Sequence, residues 1–222
     1  TLRQQLLELG LPKQVVNDFD AEEIQRYQGV WKVMGERTHA AGQNVDDTTV
    51  LLERYVCYLP DRQARYIGAY RYLKSPKHDY SGELLLYYHD VNGVRGNSFR
   101  LGEPEAAQSL QLFRRGETIY RTLPLGEDNI RQGYTGMMLE FGLPRNGEEI
   151  RGYLLVDCQV DWEAPQPTWL ALEYWQQTKL LHGVFDGMGE HHQLISPPGY
   201  ERGPWQVYEE IYHLAYPDVA NY

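Results

Sequence analysis

The sequence predicts a mainly β protein, an antiparallel up-and-down barrel with a helical segment at its N-terminus. Three observations lead to this fold class. From Tyr27 onward, apolar and polar residues alternate with a period of two, which is typical of strands. Tight-turn residues recur between these segments, and no helical segment separates successive strands as a parallel sheet would require. Because a long meander removes its exposed edges by closing, the barrel is preferred over the alternative, a two-sheet sandwich.

The first 27 residues have a helical period. Apolar residues recur at three- and four-residue spacing on both sides of a break at Gly10-Leu11-Pro12. We therefore expect residues 1–27 to form a helical cap across one end of a barrel formed by residues 28–216. No repeat or linker interrupts the chain, so residues 1–222 are expected to form a single domain.

Four turn signals predict hairpins. They are "LPDRQ" at 59–63, Asn92-Gly93, "RRGE" at 114–117 and "LPRNG" at 143–147. A hairpin at 143–147 would place Glu140 opposite Arg151, and one at Asn92-Gly93 would pair Asp90 with Arg95. Cross-strand pairs of opposite charge are common, so both pairs are assigned a structural role.

The charge balance excludes one class of partner. Against 31 acidic residues the chain has 21 basic ones, a net charge of −10, and no basic run occurs. Such a surface repels a phosphate backbone, so we expect no nucleic-acid partner. The sequence also contains no apolar run near the roughly 18 residues that a membrane-spanning helix needs, so no membrane span is expected.

Cys57 and Cys158 are the only two cysteines of the chain. Both lie in apolar, strand-like surroundings, and their separation fits no metal-binding motif. Two buried free thiols in a reducing compartment are preferred, which favours a cytoplasmic location. One disulfide in an exported barrel is the alternative, because the chain begins at Thr1 and a leader could have been removed.

The stretch "RYQGVWKVMGERTH", residues 26–39, contains Gly29-x-Trp31 at the start of the first expected strand. This spacing resembles the first signature of the lipocalin and calycin superfamily, and the segment is faintly similar to the first strand of the lipocalin-like phycobiliprotein lyases. The resemblance implies a barrel whose tryptophan closes one end while the other end admits a small apolar molecule. The second lipocalin signature is not found, nor is an arginine at the final strand to stack on the tryptophan.

Tyrosines are the main candidates for contact with such a molecule. The chain has 18 tyrosines against 5 phenylalanines, and alternation places Tyr66, Tyr70 and Tyr72 on one face of a strand. Tyrosine and tryptophan combine a flat apolar body with a polar tip, which suits a planar, partly polar ligand. The outer, half-wet face of the sheet is the alternative location. The candidate ligand-binding residues are Trp31, Tyr66, Tyr70, Tyr72 and Tyr88.

Glu173, Arg37 and His39 are the candidate catalytic residues. Glu173 lies in "WLALEYW", where burial would favour its neutral form and equip it as an acid or base. Alternation is expected to place Arg37 and His39 on the same face as Trp31, so that Arg37 could hold an anionic or carbonyl group of the ligand. A surface position for Glu173 and a structural ion pair for Arg37 are the alternatives.

Metal and cofactor motifs are not found. His191 and His192 in "DGMGEHHQLIS" are adjacent, so in a strand they would point to opposite faces, and neither the cupin pattern nor H-E-x-x-H occurs. Nucleophile-elbow, Walker and Rossmann glycine patterns are likewise not found. We therefore expect no metal and no cofactor.

The sequence leaves two candidate functions. The first is cofactor-independent catalysis of the isomerase, cyclase or lyase type on a small, partly polar aromatic or extended hydrophobic molecule. The second is a non-catalytic carrier or sensor of lipocalin type with the same pocket, and a pure interaction domain ranks below both. An inward Glu173 would favour the enzyme, and an outward Glu173 would favour the carrier. The sequence predicts no oligomeric state.

Overall fold

A computed structural model describes residues 1–40, 50–73, 81–88, 96–102, 107–122, 130–133, 136–142, 148–164, 166–177 and 205–214. Within them the chain forms three short helices followed by twelve strands. The helices are α1 (Leu2–Glu8), α2 (Lys13–Asp18) and α3 (Ala21–Gln25). The strands are β1 (Lys32–Ala40), β2 (Val50–Tyr58), β3 (Gln63–Tyr72), β4 (Ser81–Tyr88), β5 (Phe99–Leu101), β6 (Ala107–Arg115), β7 (Thr118–Thr122), β8 (Ile130–Gly133), β9 (Gly136–Gly142), β10 (Glu148–Val160), β11 (Thr168–Gln177) and β12 (Trp205–Leu214).

These strands form two antiparallel sheets. The larger sheet has the order β1-β2-β3-β10-β6-β7, with β5 also paired to β10, and the smaller sheet has the order β12-β11-β4-β9-β8. The prediction of a mainly antiparallel β protein with N-terminal helices is thus confirmed. The two sheets share no strand pairing within the described residues.

The strand order differs from that of an up-and-down meander. Such a meander pairs each strand with its neighbours in sequence, whereas here β10 lies between β3 and β6, and β4 lies between β11 and β9. Turn signals specify only local hairpins. The choice of a distant partner is made by the burial of whole strand faces, which the turn residues do not encode.

Two of the predicted hairpins are present. "LPDRQ" joins β2 to β3 through Asp61 and Arg62, both at positive φ, and "RRGE" joins β6 to β7 through Gly116 at φ 59°. Residues 143–147 and Asn92-Gly93 lie outside the described residues. The expected β9–β10 hairpin is wrong, because the described part of β9 pairs with β4 and β8. The described part of β5 pairs with β10, while the turn at Asn92-Gly93 itself stays a prediction.

The expected pairing of Glu140 with Arg151 is therefore also wrong. Position 140 lies opposite Glu83 on β4, and Arg151 lies opposite Arg71 on β3. The pair Asp90–Arg95 lies outside the described residues.

The inner faces of the two sheets share one hydrophobic core. It unites even-numbered residues of β2, β3 and β10 with Leu84 and Leu86 of β4 and Leu170 and Leu172 of β11. We call the sheet faces that contribute to this core the inner faces and the opposite faces the outer faces.

A second core lies on the outer face of the larger sheet, where the helices pack. Leu6, Val15, Phe19 and Ile24 of the helical segment share this core with strand residues such as Leu155. The N-terminal segment therefore forms a helical layer on one sheet face, which corrects the expectation of a cap across one end. Its short helices present only one apolar stripe each, and a broad sheet face buries all of them together.

Candidate functional site

The inner face of the larger sheet carries the predicted tyrosines. Tyr66, Tyr70 and Tyr72 all belong to the inner core, as strand alternation predicts, and each is at most 6% exposed. The ring of Tyr70 stacks on Tyr174 of the smaller sheet at a centroid distance of 4.9 Å, and the hydroxyls of Tyr72 and Tyr174 are hydrogen-bonded. Aromatic side chains thus bridge the two sheets, and the alternative location on an exposed face does not hold for these residues.

Two glycines on this face make room for the rings. A Cβ atom on Gly152 would lie 2.5 Å from Tyr70 Cε1 and 2.8 Å from its hydroxyl oxygen. A Cβ atom on Gly68 would lie 3.0 Å from Tyr66 Cε1. The Tyr70 ring therefore lies over Gly152 of β10, the residue that pairs with Gln111 of β6. Burial and the neighbouring Tyr174 raise the pKa of Tyr70 well above its ordinary value, which keeps the hydroxyl protonated.

Two side chains on the inner face of β6 carry buried polar atoms. Ser109 is 2% exposed and Gln111 is 7% exposed, and within the described part of the chain neither Ser109 Oγ nor Gln111 Nε2 has a hydrogen-bond partner. Ser109 pairs with the inner-core residue Leu154, and Gln111 pairs with Gly152, so both occupy inner-face positions. Residues directly opposite in an antiparallel pair are about 5 Å apart. Tyr70 and Gln111 therefore flank Gly152 on its two sides, with Ser109 two residues before Gln111 on the same face of β6, and we call these three residues the β6 polar site.

A buried arginine lies on the same inner face. Arg54 is 7% exposed and lies between the inner-core residues Leu52 and Val56 of β2. It pairs with Gly68 on one side and with the position of Glu36 on the other. The inward arginine that the sequence analysis sought at position 37 is thus at position 54. Its alternation with Leu52 and Val56 was a visible signal, but the sequence did not reveal which face of β2 is the inner one.

Trp31 lies at one end of the inner core. It packs with Tyr58 and Trp162 at centroid distances of 5.8 Å each, and its indole Nε1 donates to the carbonyl of Leu59 at 3.2 Å. The preceding Gly29 has φ +81°, and a Cβ atom there would lie 2.9 Å from Pro60 Cγ. The Gly-x-Trp spacing therefore has a local explanation: Gly29 adopts a left-handed conformation in close contact with Pro60, and Trp31 packs with two aromatic rings at the end of the core.

The register does not bring Arg37 and His39 to this core. They lie opposite Glu53 and Leu51, and they have the parity of Val33, which packs on the outer core. The structure describes only the backbone at positions 37 and 39. Alternation could not be extended through Trp31 because β1 begins only at Lys32. The expected cavity formed by Trp31 and Arg37 with the inner tyrosines is therefore not supported by the register.

Glu173 is buried but lies on an outer face. It is 5% exposed and accepts a hydrogen bond from the Tyr87 hydroxyl, whereas its neighbours Leu172 and Tyr174 belong to the inner core. Tyr88, the remaining candidate, belongs to the inner core, and its hydroxyl accepts a hydrogen bond from the backbone N–H of Leu101 at 2.7 Å. The structure thus brings Tyr88 into the same core as Tyr66, Tyr70 and Tyr72, and separates Glu173 from them.

Buried ion pairs on the outer face of the larger sheet were missed by the sequence analysis. Arg65 is fully buried and donates to both carboxylate oxygens of Glu23 at 2.6 and 2.7 Å, and also to Asp157. Arg151 likewise binds both oxygens of Asp18 at 2.6 and 2.7 Å. Each pair joins the helical segment to a strand, and such bidentate geometry is the strong form of this interaction.

A cavity of about 190 Å³ lies beside the first of these pairs, between the helical segment and strands β6 and β10. Asp20, Glu22 and Glu23 line it together with Phe19 and Leu110. Glu23 is engaged by Arg65 and by the Tyr27 hydroxyl, and Asp20 accepts from the backbone N–H of Glu23. Glu23 and Asp20 therefore hold the helical segment in place through these hydrogen bonds, and this cavity is not the preferred candidate site.

The two cysteines are free and buried. Cys57 belongs to the outer core and Cys158 to the inner core, so they lie on opposite faces of the larger sheet. The preferred interpretation of two buried free thiols is confirmed. Burial raises the pKa of both thiols well above their ordinary value, which leaves them protonated and poorly nucleophilic.

Searches for membrane-spanning and metal-binding features covered only the described part of the chain. No helix there is long and apolar enough to cross a bilayer. No group of three or more histidine, cysteine or acidic side chains in those segments could hold a metal ion. His191 and His192 lie outside the described residues.

Comparison with known proteins gives no relative: no model of a protein family matches the chain, and no curated protein matches it. The class of protein is therefore defined by its own architecture, two antiparallel sheets around a tyrosine-rich core with a helical layer on one outer face. Ser109 and Gln111 of the β6 polar site are unusual within this core, because buried polar side chains are normally hydrogen-bonded.

Proposed function

We propose that the protein binds a small, partly polar molecule with an aromatic or extended apolar body between its two sheets, which close into a barrel. One observation carries the proposal: Ser109 Oγ and Gln111 Nε2 are buried on the inner face and have no hydrogen-bond partner within the described segments. Leaving such atoms unpaired costs about 1–3 kcal/mol each. A bound molecule would supply the hydrogen-bond partners that these two buried atoms lack.

The remainder of the inner face suits such a bound small molecule, which we call the guest. Tyr72 and Tyr174, whose rings contact each other and, for Tyr174, also Tyr70, add flat apolar surfaces with polar tips to this face. Trp31, with Tyr58 and Trp162, plugs one end of the core. The edge strands β1 and β12 of the two sheets approach within 8 Å between Cα atoms, which supports closure into a barrel.

We propose a non-catalytic carrier or sensor in preference to an isomerase, cyclase or lyase. Catalysis of those types needs an acid or base beside the guest. Among the side chains that the structure describes, the buried carboxylates are those of Asp18, Glu23, Glu53 and Glu173. The first two lie on helices, Glu53 pairs with the outer-core residue Ala69, and Glu173 lies on an outer face. This distribution favours binding without turnover.

Native mass spectrometry of protein purified from its own host tests the proposal. We expect one small molecule per 25.9 kDa chain, released on denaturation and recovered chemically unchanged. The variant Gln111→Leu, expressed in the same host, should lose the guest. Gln108→Leu is the matched control, because Gln108 occupies the same strand at the opposite parity. A bare chain in the wild type, or equal occupancy in both variants, would contradict the proposal, and recovery of a converted product would indicate catalysis.

A further inference from the structure

The donors of the β6 polar site determine what it can bind. The amide nitrogen of Gln111 can only donate, and the hydroxyl of Ser109 can donate as well as accept. The two residues are separated by one residue on one strand, so their Cα atoms are roughly 6.6 Å apart on the same face. An oxygen with two lone pairs, placed between them, can accept from both side chains. The hydroxyl of Tyr70 lies over Gly152, the residue directly opposite Gln111.

The charges around the site argue against an anion there. Within the described side chains of the inner face, the buried cation is Arg54 on β2, and β3 and β10 separate it from β6. Three strand spacings correspond to roughly 14 Å. Arg54 also lies opposite the position of Glu36 on β1. A carboxylate at Gln111 would therefore be a buried charge without a nearby cation, which costs far more than neutral hydrogen bonds return.

We infer that the guest presents an uncharged carbonyl oxygen, that of a ketone, aldehyde or amide, to Gln111 Nε2 and Ser109 Oγ. The inference rests on the proposed function, and it names the chemical class of the guest. The flat body of the guest packs in the tyrosine-rich region, where Tyr70 and Tyr174 already stack with ring planes 20° apart. The carbonyl replaces the partners that the two polar atoms otherwise lack.

Three naphthalenes that share one flat body test the inference. These probes are 2-acetylnaphthalene, which has a neutral carbonyl, 2-naphthoate, which has a carboxylate, and 2-ethylnaphthalene, which has no acceptor. Isothermal titration at pH 7 should show the ketone binding about tenfold more tightly than the ethyl compound, and naphthoate at least tenfold more weakly than the ketone. The bound ketone should show a carbonyl stretch shifted to lower wavenumber, as a hydrogen bond to the oxygen requires.

Two variants locate the contact, with a third as the control. Gln111→Leu should remove the preference for the ketone over the ethyl compound, and Ser109→Ala, which changes the volume little, should reduce it severalfold. Gln108→Leu should keep the wild-type preference. The carbonyl shift in the wild type does not depend on the folding of any variant.

The outcomes separate this inference from the proposed function. Equal binding of the ketone and the ethyl compound would overturn the carbonyl assignment and leave small-molecule binding standing. Tighter binding of naphthoate would overturn it in favour of an anionic guest. Failure of all three probes to bind would overturn the carbonyl assignment, whereas the proposed function is tested separately by the native mass spectrometry above.

Discussion

Replacing Gln111 by leucine should stabilise the ligand-free protein. The amide of Gln111 is buried at 7% exposure, and within the described segments its Nε2 atom has no hydrogen-bond partner. A buried donor without a partner costs about 1–3 kcal/mol. Leucine is close to glutamine in volume, so the substitution removes this cost without leaving a large cavity.

The magnitude follows from these terms. We expect the free energy of unfolding to rise by about 1–2 kcal/mol, which for a chain of this size raises the Tm by roughly 3–6 °C. Most core substitutions destabilise by a similar amount, so a gain in stability at a core position is a specific signature. Together with lost binding, it would identify Gln111 as a residue kept for function at a cost in stability.

Urea unfolding of ligand-free protein, followed by tryptophan fluorescence, measures the effect. The control Gln108→Leu should not stabilise the protein, because Gln108 lies on the outer face, where its amide donates to Glu23 and accepts from Arg26. Loss of more than 1 kcal/mol in Gln111→Leu would refute the reasoning, since it would mean that the amide is well satisfied in the native core.

Three further predictions concern the fold. Glu23→Ala should lower the free energy of unfolding by about 3 kcal/mol, because it leaves Arg65 buried without its bidentate partner. The double variant Glu23→Leu with Arg65→Met should lower it less. Urea unfolding measures both variants, and a double variant less stable than the single one would argue against this explanation. Gly152→Ala should displace the Tyr70 ring and destabilise the protein by about 1–3 kcal/mol. The expected readouts are a lower Tm and a changed near-ultraviolet circular dichroism spectrum. An unchanged spectrum would show that the ring does not lie over the glycine. The two buried cysteines have raised folded-state pKa values, so their contribution to stability is complete below the ordinary thiol pKa of about 8.5 and is lost as pH rises above it. We expect the urea midpoint to decline between about pH 8.5 and 11. We also expect the native thiols not to react with a thiol reagent until urea is added. Rapid labelling of the native protein would contradict this prediction.

Local features of the fold could be predicted from the sequence. The turn chemistry at Asp61 and Arg62 specified the β2–β3 hairpin, and alternation along β3 placed Tyr66, Tyr70 and Tyr72 on one face. These predictions succeed because turn conformation and side-chain alternation depend on a few consecutive residues.

The candidate site could be predicted only in part. Its tyrosine was found, but Ser109 and Gln111 were not, because "SLQLF" contains nothing unusual for a strand until its inner face is known. Alternation defines two faces without saying which is the inner one. For the same reason Arg37 was chosen where the structure places Arg54 on the inner face.

By itself, then, the sequence determined the β class, the helical character of the first 27 residues, the β2–β3 and β6–β7 hairpins and the tyrosine-bearing face of β3. The tertiary structure alone decided that β10 lies between β3 and β6, that the helices cover an outer face, and that Glu173 is separated from the tyrosines. The physical reason is that turns and alternation arise from neighbouring residues, whereas strand partners and inner faces are selected by the burial of surfaces that are far apart in the chain.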